Sequence, residues 1–242
     1  MNLFYHKTCY NFSMTIPNSS IRQHVTNAGT ILSLTTGPDV YQPLSETTHA
    51  WVVLKEILAA LPSRDGLVVA DFGTGVGQLA IMAKWTFPEL VVKAYDNDPA
   101  VEKYIVENLA VHAKLPADAV EVNITDVADI DGRTKFDAII SCPPYYADIV
   151  KTLPIEHPHK NDPEAAVYGG YKGLEVQAVF LDKAAQTLKT GGVIVVVHAR
   201  SAKDDIAAML TERGFTNLSY HQDSNVSELM PVVDAGFTVA YK

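Results

Sequence analysis

Cysteine is scarce: Cys9 and Cys142 are the only two in 242 residues, too few and too differently placed for a disulfide framework or a cysteine zinc site. Basic residues are also short, 19 Lys and Arg against 28 Asp and Glu, giving a formal charge of −9. Sequence-independent attraction to a phosphate backbone needs clustered Lys and Arg. The balance argues against it while leaving room for a local basic groove, and the scattered Lys7, Arg22 and His24 read as a solvated face. No apolar run approaches the ~20 residues that cross a bilayer, so no membrane partner is expected. Met1 to Lys7 lacks a basic stretch leading into an apolar core with a small-residue cleavage site. These absences predict a cytoplasmic protein in a reducing environment.

What is present is a hydrophobic content of 48% with 19% charged residues, ordinary for a chain that buries one α/β core. Residues 1 to 36 are rich in Ser, Thr and Asn with weak periodicity, and read as a lightly structured extension that covers the active site. Residues 37 to 242 read as one domain. Trp51, Leu54, Ile57 and Leu58 recur at helical spacing between Thr47 and Leu61, and Pro62 to Gly66 ends that helix. Strand and helix signals then alternate: strands at 67–72, 91–95, 120–124, 136–141 and 193–197, with helices at 78–86, 100–112, 174–188 and 204–213. The run Val193 to Val197 reads as a strand buried on both faces. Segments 217–221 and 237–241 suggest an antiparallel terminal hairpin. The alternation predicts a doubly wound, mostly parallel sheet with helices on both faces, a Rossmann-like α/β fold.

The strand at 67–72 runs into Asp71-Phe72-Gly73-Thr74-Gly75-Val76-Gly77. Three glycines between a buried strand and a helix permit a tight turn and the close approach of a ligand to backbone. A turn that merely needs small residues is the plain alternative. It loses ground at the next strand, which ends in Tyr95-Asp96-Asn97-Asp98 and places Asp96 25 residues beyond Asp71, where a carboxylate accepts hydrogen bonds from a ribose diol. Asp98 competes for that role. A dinucleotide fits less well, because its pyrophosphate favours G-x-G-x-x-G spacing and Asp71 would repel it. After the fourth strand comes Ser141-Cys142-Pro143-Pro144-Tyr145-Tyr146, and after the third Thr125-Asp126.

Together these segments resemble the class I S-adenosylmethionine-dependent methyltransferases. Among them the chain looks like the HemK-type protein-glutamine methyltransferases and the small-domain RNA methylating enzymes. Asp39 to Thr48 resembles the segment before that family's first helix, and Tyr168-Gly169-Gly170-Tyr171-Lys172-Gly173-Leu174-Glu175 resembles its segment after the acceptor loop. The resemblance covers residues 37 to 242. It implies a Rossmann-like methyltransferase fold and S-adenosylmethionine as methyl donor. It also implies that Asp71, Gly73 and Gly75 hold the donor's methionine portion, Asp96 its ribose and Asp126 its adenine, with Gln42 and Pro43 lining the donor pocket. Asp126 also reads as a helix N-cap. Glu46 and Thr47 would sit towards the acceptor, with Pro144 and Tyr146.

The family's acceptor motif is usually Asn-Pro-Pro-Tyr, in which a side-chain oxygen and a backbone carbonyl align an NH₂ group while an aromatic ring covers it. Here Pro143 would supply the carbonyl and Tyr145 the ring, but Cys142 stands at the first position, and a thiol is a weak acceptor. Several readings stay open: a different acceptor, a polar contact from Ser141 or Tyr146, or loss of transfer. Cys142 as a nucleophile lacks an identifiable base, and a small buried residue is the plain alternative. Glu156, His157 and His159 suggest a metal only weakly, and a solvated loop over the substrate is the expected arrangement. The leading expectation is an enzyme that methylates the nitrogen of a planar amide or amine, with a protein glutamine, an exocyclic base amine or a small molecule as acceptor. A noncatalytic donor-binding or partner-binding protein with the same fold is the alternative.

Overall fold

The computed structural model describes residues 21–25, 31–43, 45–113, 115–116, 118–153, 159–222 and 234–242. In chain order the elements are β1 (Ile21–Val25), β2 (Ile31–Thr35), α1 (Ser45–Ala59), β3 (Val68–Phe72), α2 (Gln78–Thr86), β4 (Val91–Asp96), α3 (Val101–Glu107), β5 (Glu121–Ile124), β6 (Phe136–Ser141), α4 (Glu164–Val167), α5 (Glu175–Thr187), β7 (Leu188–Ala199), α6 (Lys203–Glu212), β8 (Thr216–Gln222) and β9 (Ala235–Tyr241). A π-helical turn, Asn108–His112, extends α3.

Seven strands form one sheet in the order β5-β4-β3-β6-β7-β9-β8. Pairs from β5 to β7 are parallel, and β9 runs antiparallel to both neighbours. The order reverses between β3, which continues outward through β4 and β5, and β6, which starts the other half. At such a switch point the loops after adjacent strands diverge and leave a crevice. Helices α1 and α2 pack on each other, and α5 packs on α6.

The strands at the sheet centre carry the most apolar side chains, as burial on both faces requires. Val69, Ala70 and Phe72 on β3, Ala138, Ile139 and Ile140 on β6, and Ile194, Val195, Val196 and Val197 on β7 are all buried. Phe72 meets Tyr95, Phe136 and Phe180 edge-on at centroid separations of 5.8, 5.7 and 6.3 Å, the geometry in which ring edges face neighbouring ring faces. This cluster fixes the ends of β3 and β4 from which the glycine loop departs.

Within the segment read as a lightly structured extension, β1 and β2 form an antiparallel hairpin. Leu32 and Leu34 are buried in the main core. Five residues of alternation are too few to stand out in a Ser- and Thr-rich stretch. The hairpin is tied down by Asn108, whose Oδ1 accepts from Thr35 N at 2.7 Å and whose Nδ2 donates to Val76 O at 3.0 Å. One buried amide thus joins the hairpin, the π-helical turn and the glycine loop.

Candidate active site

The glycine loop folds over the end of β3 because its backbone donors find fixed acceptors. Gly73 N and Thr74 N both donate to Tyr95 O, at 2.9 and 3.0 Å, and Gly77 N donates to Thr74 O at 3.0 Å. Gly73, Gly75 and Gly77 have φ of 71°, 54° and 88°, a region that side chains rarely adopt. A Cβ on Gly77 would press on Ile81 and Ile105 at 3.2 Å, whereas one on Gly75 would meet no protein atom within 4 Å. Gly77 therefore serves packing, and Gly75 keeps space open.

That space is a cavity of about 280 Å³. Gly73, Thr74 and Gly75 form its floor, and Asp96, Asn97 and Asp98 one end. Asp126 and Val127 lie on the same wall, and Thr47, Cys142 and Pro144 close the other side. Asp96 receives Gly75 N at 2.8 Å and Asp98 N at 3.0 Å. Burial raises its carboxyl above the usual range, opposed by those two backbone donors. Asp126 caps the short turn after β5, accepting Ala128 N at 2.8 Å, so its N-cap role and its place on the cavity wall coexist.

Asp71 lies under the loop, 1% exposed. Its Oδ2 accepts from Thr74 Oγ1 at 2.7 Å and Ala80 N at 3.0 Å, while Oδ1 has no partner. Burial pushes its carboxyl up to about 7, against the pull of those two donors. A buried carboxylate with one unmatched oxygen favours a cation nearby.

On the opposite wall, Thr47 Oγ1 points at Cys142 Sγ, 3.8 Å away. Ser141 Oγ donates to Phe72 O at 2.8 Å, so it braces β6 against β3. The Pro144 to Asp148 loop is held by the Val167 to Gly173 segment. Tyr146 N donates to Val167 O at 3.0 Å, Gly169 N to Tyr146 O at 2.9 Å and Asp148 N to Gly170 O at 2.9 Å. Tyr145 and Tyr146 are buried and pack on each other at 5.2 Å.

Residues 53–158 match the methyltransferase small domain family. The release factor glutamine methyltransferase of Mycolicibacterium smegmatis is 31% identical over 194 residues, covering 77% of this chain and 62% of that protein. The protein of the same name from Bifidobacterium longum is 30% identical over 207 residues, covering 79% and 67%. The chain belongs to the S-adenosylmethionine-dependent methyltransferases. It spans about two thirds of the length of these two relatives. Among solved structures, the 16S rRNA N2 G1207 methyltransferase of T. thermophilus superposes with a TM-score of 0.61 at 19% identity, over 93% of this chain and 51% of that one. That likeness establishes the shared fold.

Within this methyltransferase the cavity brings together Pro43, Thr47, Gly73, Gly75, Asp96, Asp126, Cys142 and Pro144 of the residues singled out in the sequence. Gln42, Asp71, Pro143, Tyr145 and Tyr146 are not on its wall. Gln42 is occupied with its own turn: Nε2 donates to Gly37 O and Val40 O, and Oε1 accepts from Thr36 Oγ1 at 2.7 Å. The side chain of Glu46, and Glu156 and His157, lie outside the described residues. His159 is 2% exposed rather than solvated. Its Nδ1 meets Asp162 Oδ2 at 2.8 Å, the same oxygen that accepts Gln42 N at 2.9 Å, so it clamps the 159–163 loop to the segment before α1.

Several wall residues were not singled out in the sequence. Phe180 on α5 faces Gly73, and Tyr41 and Gln78 also line the cavity. Phe180 and Gln78 fall within the helices read at 174–188 and 78–86, where nothing marked them as site residues. An S-adenosyl group fits two features of the wall: the open space at Gly75 and the carboxylate of Asp96 at a strand end.

Proposed function

We propose that this chain transfers a methyl group from S-adenosylmethionine to the nitrogen of a planar amide or amine, with a protein glutamine side chain as the favoured acceptor. The observation that carries this reading is the continuous cavity that joins the glycine loop and Asp96 to Thr47, Cys142 and Pro144. When bound, the donor supplies an electrophilic methyl on a sulfonium centre. The chain's residues supply placement: Gly73 and Gly75 admit the donor close to backbone, and Asp96 holds the ribose. Asp126 accepts from the adenine edge, and Asp71 supports the loop and contributes negative potential beneath it. Rate then comes from holding two reactants in line and from matching a cation to carboxylates. Glutamine is favoured over a nucleobase because both relatives are release factor glutamine methyltransferases, and because the chain carries an acidic balance of −9.

The test is transfer of labelled methyl from S-adenosylmethionine to a peptide with one central glutamine, beside a short RNA. Label on the peptide, lost when glutamine becomes glutamate, is the expected result. Label on RNA alone would overturn the glutamine assignment. Saturable donor binding with no transfer to any acceptor class would favour the noncatalytic reading that Cys142 raises.

A further inference from the structure

Part of the cavity wall comes from two segments that lie outside the sheet. Val40, Tyr41 and Pro43 stand before α1, and Pro163, Ala165 and Ala166 lead into and along α4. Strand pairing does not fix how close these segments lie, so side chains must. One carboxylate joins them across 120 positions of sequence: Asp162 Oδ2 accepts from Gln42 N at 2.9 Å and from His159 Nδ1 at 2.8 Å. A backbone N–H can only donate, which fixes the polarity of the tie. The side chains of His159 and Asp162 are 2% and 5% exposed, and a carboxylate so covered is costly unless its oxygens are matched. His159 carries the tie on to the wall. The Tyr41 ring stacks on it at 4.6 Å and 23°, with the hydroxyl 3.3 Å from Nε2.

The other end of this strap is tied to α3, where Asp39 accepts from Tyr104 and pairs with Lys103 at 2.8 Å. Residues 39 to 42 therefore run from α3, whose Val101 lines the cavity beside Asp98, to the 159–162 turn. Three residue steps span at most about 10 Å, so a strap fixed at both ends has little slack. The Asp39 and Lys103 side chains are 43% and 63% exposed, and an ion pair that open to water holds weakly. The buried tie is the stronger anchor. We infer that Asp162, with His159, is a positioning residue for the methyl donor: acting through Gln42 N and Tyr41, it holds Val40, Tyr41 and Pro43 against the cavity and slows departure of the S-adenosyl group. Neither His159 nor Asp162 lines the cavity, so their effect on the donor passes through the strap. The inference rests on the reading of this cavity as the donor site.

The full chain is titrated with S-adenosylhomocysteine by calorimetry, and its dissociation rate is read by stopped-flow displacement, for wild type, Asp162→Ala, Asp162→Asn and His159→Leu, each checked for an unchanged unfolding transition. Asp162→Ala should bind at least tenfold more weakly, a loss of about 1.4 kcal/mol, and the loss should appear as faster dissociation. Asp162→Asn should stay within about threefold of wild type, under that tenfold step, because its carbonyl oxygen still accepts from both donors. His159→Leu keeps the bulk and removes both ring nitrogens, and should speed dissociation by about threefold or more. Wild-type dissociation from Asp162→Ala overturns the inference. So does Asp162→Asn releasing as fast as Asp162→Ala, which would assign the effect to charge instead of the tie. Should Asp162→Ala fail to fold, His159→Leu decides by the same readout, an unchanged rate overturning the inference. Failure of wild type to bind S-adenosylhomocysteine is the distinct result that sinks the donor-site reading, and the strap's role with it.

Discussion

Asp96 and Asp71 are close in the fold but do different work. Asp96 is on the cavity wall, and its two backbone donors leave lone pairs for a ribose. Asp96→Ala should weaken S-adenosylhomocysteine binding at least tenfold in calorimetry, since hydrogen bonds to a charged group are worth about 1.5–3 kcal/mol. Asp71 and His198 should be visible in stability against pH, with opposite signs. Burial raises the Asp71 carboxyl from 3.8 to about 7, so its stabilising share is full below pH 3.8 and is lost as pH rises through 7. Burial lowers His198 from 6.5 to about 4, so its share is full above pH 6.5 and is lost as pH falls through 4. The two slopes oppose each other across the same window. Denaturant unfolding between pH 4 and 7 should show Asp71→Asn gaining stability relative to wild type as pH rises, and His198→Gln gaining it as pH falls. Parallel profiles for all three proteins would contradict the assignment.

At the scale of elements, the acceptor loop depends on the segment packed behind it. A Cβ on Gly173, at φ 73°, would fall 2.2 Å from Tyr145 O, and one on Gly169 2.5 Å from Pro144 O. Gly173→Ala should therefore displace the Pro144 to Asp148 loop, cutting methyl transfer by an order of magnitude or more while donor affinity changes little, because a small misplacement of reacting groups is costly. Loss of donor binding in parallel would show that the two walls are not independent. The segment's glycines stood out in the sequence, as did the helix over Gln78–Thr86 and the strand over Phe136–Ser141. Periodicity and glycine punctuation carry such elements locally. The pairing of β1 with β2 was not legible, because the two strands are short and Leu32 and Leu34 acquire meaning only against the core. Gln42 and Tyr145 show the matching limit within the site. Their position near the motifs was readable, but which way each side chain turns depends on partners such as Thr36 and Tyr146.

Across the whole molecule, a switch point in strand order makes the crevice, and contacts distant in sequence shape it. The hairpin is part of that support through Leu34 and Asn108. Leu34→Ala should lower stability by about 2–5 kcal/mol, the usual range for a buried leucine, and Asn108→Ala should weaken donor binding through the glycine loop as well as stability. A Leu34→Ala protein as stable as wild type would show that the hairpin is not part of the core. Among the described residues no helix is long and apolar enough to cross a membrane. The cavity of about 280 Å³ is expected to hold the S-adenosyl group over Gly75. Calorimetric titration of the full chain with S-adenosylhomocysteine tests it most directly: saturable binding at one molecule per chain, at least tenfold weaker in Asp96→Ala, is the predicted result, and no saturable binding to the folded wild-type protein would contradict it.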